Sequence, residues 1–189
     1  MSLEYAILGF LNYQSLSGYD LKKVFDQTVS HFWPATQSQI YRTLDRMIES
    51  EWVTQEVIEQ QDRPDRKIYH ITPQGVQELK NWLITPLSVG VNRSPALIQV
   101  FFSGLLSPQE TLDMAHTKLS QMQAVLEHYL IIKHNPKFSF APPTDQDYFY
   151  WMLTLDHGIA IMQAEIQWLE RTIKRIENRE WCENNLLQE

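Results

Sequence analysis

The sequence has a single cysteine, Cys182, in 189 residues. No disulfide can form within the chain, and nothing points to an oxidising compartment. It also has no excess of basic charge: 16 Lys and Arg stand against 23 Asp and Glu, a formal net charge of −7. That balance excludes a protein that coats nucleic acid or anionic membrane without sequence preference. Glycine (6) and proline (9) are too scarce for a fibrous or disordered chain. No apolar run approaches the ~18 residues of a membrane span. Met1-Ser2-Leu3-Glu4 lacks the basic start of a signal peptide. The expectation is a cytoplasmic protein with no membrane partner.

The patterns that carry chemistry are missing as well. His31, His70, His116, His128, His134 and His157 form no i,i+4 pair, no His-Glu-x-x-His and no cluster with cysteine, so no metal site is expected. There is no glycine-rich phosphate loop. Asp145 and Asp147 read as first-turn acids that suit a helix dipole. Cys182 has no basic neighbour nearer than Arg179, which argues against a catalytic thiol. Neither an enzyme nor a cofactor is expected.

What is present is helical periodicity in two regimes. In the first, Leu3, Ile7, Phe10 and Leu11 form one apolar stripe, broken at Ser17-Gly18. Leu21, Val24, Phe25 and Phe32 form a second, ended by Trp33-Pro34. Ile40, Leu44, Met47 and Ile48 form a third. Residues 53–59 and 67–71 then tolerate β-structure around a polar loop, which suggests a hairpin. Thr72-Pro73 is a helix cap followed by proline at the first helical position. Residues 85–93 carry Pro and Gly without a helical period and read as a linker.

The second regime is wholly helical. Ser94-Pro95 opens one helix, and Ser107-Pro108-Gln109-Glu110 is a capping box that opens another. The last helix carries Tyr148, Met152, Leu155, Ile159, Met162, Ile166, Leu169, Ile173 and Ile176 in alternating steps of four and three, a heptad seam. A helix from Asp145 to Trp181 would be ~55 Å long. Its seam pairs either with the Leu112–Tyr129 helix of the same chain or with another subunit as well. The seam residues Leu155, Ile159, Met162, Ile166, Leu169, Ile173 and Ile176 are therefore candidates for dimerisation.

Three helices followed by a two-stranded hairpin is the order of a winged helix-turn-helix, in which the third helix enters the major groove. Stepping the third helix at ~100° per residue sets Ser38, Gln39, Arg42, Arg46 and Glu49 opposite the apolar stripe, with Tyr41 at the boundary. Gln39 and Arg42 have the donor geometry that base edges need. Ser38, Tyr41 and Arg46 suit phosphates, and Arg63, Arg66, Lys67 and Tyr69 would serve the wing. The acids Asp45, Glu49, Glu51, Glu56 and Glu59 lie between these points. An ordinary solvated helix beside a mixed-charge hairpin has the same pattern, so periodicity leaves both readings open.

Particular motifs go further. Ser17-Gly18-Tyr19-Asp20-Leu21, the helix 38–47 with its exit Glu51-Trp52-Val53, and the return Arg66-Lys67-Ile68-Tyr69 with Thr72-Pro73-Gln74-Gly75 resemble the PadR family of bacterial transcriptional regulators. Ser94 to Phe102, continued by Leu105 to Glu110, resembles the virulence-activator-alpha type of C-terminal helical domain of the longer members. Trp33-Pro34 departs from the shorter Gly- or Ser-containing turn of many relatives. The resemblance implies a mainly α protein: a winged helix-turn-helix over 1–84 (three helices plus a two-stranded wing), a linker over 85–93 and a helical dimerisation domain over 94–189. It implies a homodimeric repressor on a pseudo-palindromic double-stranded operator, in a family some of whose members are released by small aromatic effectors. Phe101, Phe102, Tyr148 and Trp151 are the candidate effector residues, against a default of core or dimer packing. The rival reading is a winged-helix adaptor that binds protein rather than DNA.

Overall fold

The computed structural model describes residues 2–59, 65–87, 93–136 and 142–182. The first half runs α1 (Leu3–Tyr13), β1 (Leu16–Ser17), α2 (Gly18–Gln27), α3 (Gln37–Glu49), β2 (Val53–Ile58), β3 (Arg66–Ile71) and α4 (Pro73–Leu83). The second runs α5 (Pro95–Phe101), a 3₁₀ turn Ser103–Leu105, α6 (Pro108–His134), α7 (Asp145–Glu177) and a 3₁₀ turn Glu180–Cys182. No helix among the described residues is long and apolar enough to cross a membrane.

Helix starts follow the local chemistry. Ser17, Thr36, Thr72, Ser94 and Ser107 each accept a backbone N–H from three residues on. This satisfies donors that the first turn leaves unpaired. The box at Ser107 and Glu110 forms as the spacing predicts, and a second closes at Thr36 and Gln39. Helix α3 ends in a Schellman arrangement: Trp52 N–H donates to Met47 O and Glu51 N–H to Ile48 O, with Glu51 left-handed at φ 59°.

Two compact units divide the chain. One is Met1–Ser88 with Phe138–Trp151, the other Val89–Lys137 with Met152–Glu189. The described residues 142–151, which the sequence groups with the second domain, thus fall with the first unit. The Tyr13 hydroxyl donates to Asp147 at 2.7 Å, and Trp151 packs on the N-terminal core.

The first unit is built on Ile7, Leu8, Leu21, Phe25, Ile40, Leu44, Met47 and Val53. All but Val53, the first residue of β2, belong to the apolar faces of its helices, turned inward. Its sheet is antiparallel in the order β1-β3-β2. The expected two-stranded wing therefore gains a third, very short strand, pairing Leu16 with Tyr69 and Ser17 with Ile68. A two-residue strand shows no alternation from which it could be read. Phe32 is also displaced from its expected helix. Helix α2 stops at Gln27, where the Thr28 and Ser30 hydroxyls take the carbonyls of Val24 and Asp26. Phe32 is left 50% exposed.

In the second unit the heptad seam is used within the chain. Ile166, Leu169 and Ile173 pack with Ala115 and Met122 of α6, flanked by Met162, Leu112, Leu119 and Leu126. Leu155 and Ile159 are buried too, and Ile176 is half-buried. Leu155, Ile159, Ile166, Leu169 and Ile173 are thus already removed from water within the chain, and of the candidate dimerisation residues only Met162 and Ile176, partly buried, keep surface to offer a partner. Among the large apolar side chains that this unit leaves exposed are Leu97, Ile98, Phe101, Phe102 and Leu105, on α5 and the turn after it.

Candidate nucleic-acid interface

Helix α3 turns Ile40, Thr43, Leu44 and Met47 inward and leaves Ser38, Gln39, Arg42, Asp45, Arg46 and Glu49 on its exposed side. Ser38, Gln39 and Arg42 occupy its first turns and Arg46 its last. Arg42 donates from Nε to its own helix at Ser38 O, at 3.3 Å. Its guanidinium meets no carboxylate among the described residues.

Other predicted contacts are engaged differently. Gln39 is a cap: its Oε1 accepts from the Thr36 backbone N–H at 2.8 Å and from the Thr36 hydroxyl at 3.1 Å. A bidentate contact to adenine would need that same oxygen. Arg46 turns back towards α1, forming an ion pair with Glu4 at 3.1 Å and a hydrogen bond to Thr43 Oγ1 at 3.2 Å. It braces two helices rather than standing ready for a phosphate. Tyr41 is half-buried against the start of α2. A Cβ added to Gly18 would lie 2.5 Å from the Tyr41 ring, so the glycine permits this close helix crossing.

Tyr69 is the clearest correction. Only 1% of it is exposed, on the central strand of the sheet, and burial raises its phenol pKa. It belongs to the core rather than to the surface of the wing. Alternation along β3 explains the difference, since neighbours point to opposite faces.

Arg66 and Lys67 remain at the surface of the wing. The Arg66 Nη2 donates to Asp20 Oδ2 at 2.6 Å, tying β3 to the first turn of α2. Burial works to raise the Asp20 pKa, but the Ser17 hydroxyl and Arg66 outweigh it and hold that carboxyl below its ordinary value. Lys67 is exposed. Arg63 lies outside the described residues.

One exposed group was absent from the predicted contacts. Tyr19, at the start of α2, is 67% exposed beside the Asp20–Arg66 pair. Its place in the Ser-Gly-Tyr-Asp motif was visible in the sequence, but its exposure was not. Of the candidate effector residues, Phe101 and Phe102 lie exposed on and just after α5, in the second unit. Tyr148 and Trp151 lie on the first turns of α7, in the first unit, where Trp151 meets Tyr13 at a ring separation of 6.0 Å. Among the described residues no group of three or more His, Cys, Asp or Glu could hold a metal ion.

Comparison with known proteins bears on both halves. Residues 7–81 match the transcriptional regulator PadR-like family, and residues 92–177 match the virulence activator alpha C-terminal family. A probable transcriptional regulator of Mycobacterium tuberculosis is 33% identical over 95% of this chain and 100% of its own length. The negative transcriptional regulator PadR of Bacillus subtilis is 30% identical over 93% of this chain and 97% of its own. The structure of that Bacillus protein in complex with operator DNA superposes with a TM-score of 0.80 at 29% identity, covering 93% of this chain and 99% of the other. Its complex with p-coumaric acid gives 0.75 at 29% identity, covering 94% and 99%.

Proposed function

Because the chain belongs to the PadR-like family of transcriptional regulators, and is therefore no enzyme, we propose that it represses transcription as a homodimer on a pseudo-palindromic operator. The observation that carries the proposal is the start of α3. It presents Ser38 to solvent together with Arg42, whose guanidinium meets no carboxylate among the described residues, at the end of a recognition helix that contacts base edges in helix-turn-helix proteins. Lys67, Arg66 and Tyr19 extend the surface toward backbone phosphates. Gln39 holds the first turn of α3 in register instead of reading a base.

A dimer is supported by the exposed apolar surface of α5 and the turn after it. Phe101 and Leu105 are 81% and 87% exposed, and a contiguous patch of such side chains marks an interaction site. Two-fold symmetry would match half-sites about one helical turn, or a multiple of it, apart. Relatedness to a Bacillus protein solved with p-coumaric acid supports a small phenolic effector that releases the operator.

Fluorescence anisotropy with a fragment of the chain's own promoter, at fixed salt, tests the assignment. Arg42→Ala should weaken specific binding by ~1–3 kcal/mol, the worth of a bidentate base contact. Unchanged affinity would remove Arg42 from the interface. The net charge of −7 implies few phosphate contacts, hence a shallow dependence of affinity on salt. No salt-dependent binding at all would favour the adaptor. Addition of p-coumaric acid should lower the anisotropy of the bound fragment.

A further inference from the structure

Beside the C-terminal half of α3, a cleft of about 270 Å³ is lined by Glu4, Tyr5, Arg46, Met47, Ser50 and Trp52. Glu4 is only 8% exposed. Its Oε1 faces the Arg46 guanidinium at 3.1 Å. Its Oε2 is closed to solvent and has no hydrogen-bond partner among the described residues. A carboxylate offers about four lone-pair sites, and a buried one left short of donors is costly. Arg46 does not make good the deficit. Its side chain is half exposed and is shared with Thr43 Oγ1.

We propose that this cleft binds a small aromatic cation, an amidinium or ammonium, which displaces Arg46 from Glu4, opens the closed Oε2 and completes the carboxylate with its own N–H groups. The walls suit a cation on a ring. Tyr5 and Trp52 stand with ring centroids 6.3 Å apart, and Tyr5 is backed by Trp82, stacked at 4.5 Å. Such faces attract a cation through their quadrupoles, and Met47 adds polarisable apolar contact. The Tyr5 hydroxyl donates to Glu78, which sets a second carboxylate beside the aromatic wall and disfavours an anionic ligand. The volume falls just short of the roughly 300–1,000 Å³ of ordinary ligand pockets, which limits the guest to about one ring. A planar amidinium presents two parallel N–H groups, the geometry that carboxylates take from arginine. The guest would compete with Arg46 for Glu4 and so act on the ion pair joining α1 to α3.

Isothermal titration of the full chain with benzamidinium chloride tests this without any DNA, so its outcome is separate from that of the operator experiment. Saturable binding of one equivalent per chain is expected, with none for benzoate or benzyl alcohol. Glu4→Gln should weaken it at least tenfold. Arg46→Ala removes the competing cation and should tighten it, an effect opposite to that of general damage to the fold. Absence of saturable binding, equal affinity in the wild type and Glu4→Gln, or competition by benzoate overturns the proposal. So does weaker binding to an Arg46→Ala variant that melts like the wild type. If Glu4→Gln fails to fold, Arg46→Ala decides the matter alone.

Discussion

A single carbon added at Gly75 would meet the Trp52 carbonyl oxygen at 2.3 Å and Ile71 Cγ1 at 3.0 Å. That carbonyl accepts the Thr72 N–H at 3.0 Å, while the Thr72 hydroxyl donates to Glu51 O at 2.7 Å and accepts from Gly75 N–H. The Thr-x-x-Gly spacing of the wing return is therefore a docking device. Threonine caps α4 and grips the turn after α3, and glycine leaves room for that turn's backbone. Gly75→Ala should cost about 1–3 kcal/mol as an overpacked contact, read as a lower midpoint in urea. Glu51 makes the reverse case. It holds a left-handed conformation at φ 59°, in a position usually given to glycine. Glu51→Gly relieves about 1–2 kcal/mol of steric strain against the larger chain entropy of glycine, about 0.5–1 kcal/mol. A net rise in the urea midpoint is expected, and a fall would show that this strain is absent. The sequence held the residue types at both sites; the carbonyl that meets Gly75 became visible only once the turn was packed.

Carboxylates near three helix starts work alike. Asp20 in α2 is held below its ordinary pKa despite burial, by Ser17 and Arg66. Glu110 in α6 is lowered by the Ser107 cap, and Asp147 in α7 by Thr144 and then Tyr13. The Tyr13 phenol is pushed up to about 12, by burial first and by Asp147 next, as its donation to a carboxylate requires. A carboxyl group whose pKa is lower in the folded state adds stability above its unfolded pKa. That stability is lost as pH falls through the folded value. Their ordinary values are 3.8 for Asp20 and Asp147 and 4.5 for Glu110. Melting temperature should therefore begin to drop as pH is lowered past these ordinary values, and go on dropping below them. The triple variant Asp20→Asn, Glu110→Gln, Asp147→Asn should be less stable at neutral pH but flatter across that window, followed by far-UV circular dichroism. An equally steep acid limb would show that other carboxylates carry it. Caps of this kind are legible in sequence, since Ser or Thr followed by Glu, Gln or Asp three residues on needs only local geometry. The short strand β1 was not, because its pairing with β3 is long-range.

For the molecule as a whole, the proposed homodimer can be probed at two places, the seam of α7 and the exposed apolar side chains of α5. Ile166 and Ile173 are buried against α6, so Ile166→Ala should destabilise the second unit by about 2–5 kcal/mol without changing subunit stoichiometry at temperatures where it stays folded. Phe101→Glu with Leu105→Glu touches side chains that are open to water in the single chain. It should leave the melting of that unit nearly unchanged while sedimentation shifts from dimer to monomer and operator affinity falls. A dimer that survives the α5 substitutions and dissociates with Ile166→Ala would return the interface to the seam.

The sequence by itself determined where α4, α5 and α6 begin, that a winged helix-turn-helix precedes a helical half, and that the chain belongs with regulators rather than enzymes. Those features depend on neighbours a few residues apart, or on motifs whose residues lie close in the chain. Only the tertiary structure decided which of the marked side chains remain available. It buried Tyr69, turned Arg46 to Glu4 and Gln39 to Thr36, spent the seam on α6, and left Arg42 and the α5 surface open. The physical reason is the same in each case. A side chain's type and period state what it can do, but whether its donors and its apolar surface are already satisfied depends on partners that the fold brings from far along the chain.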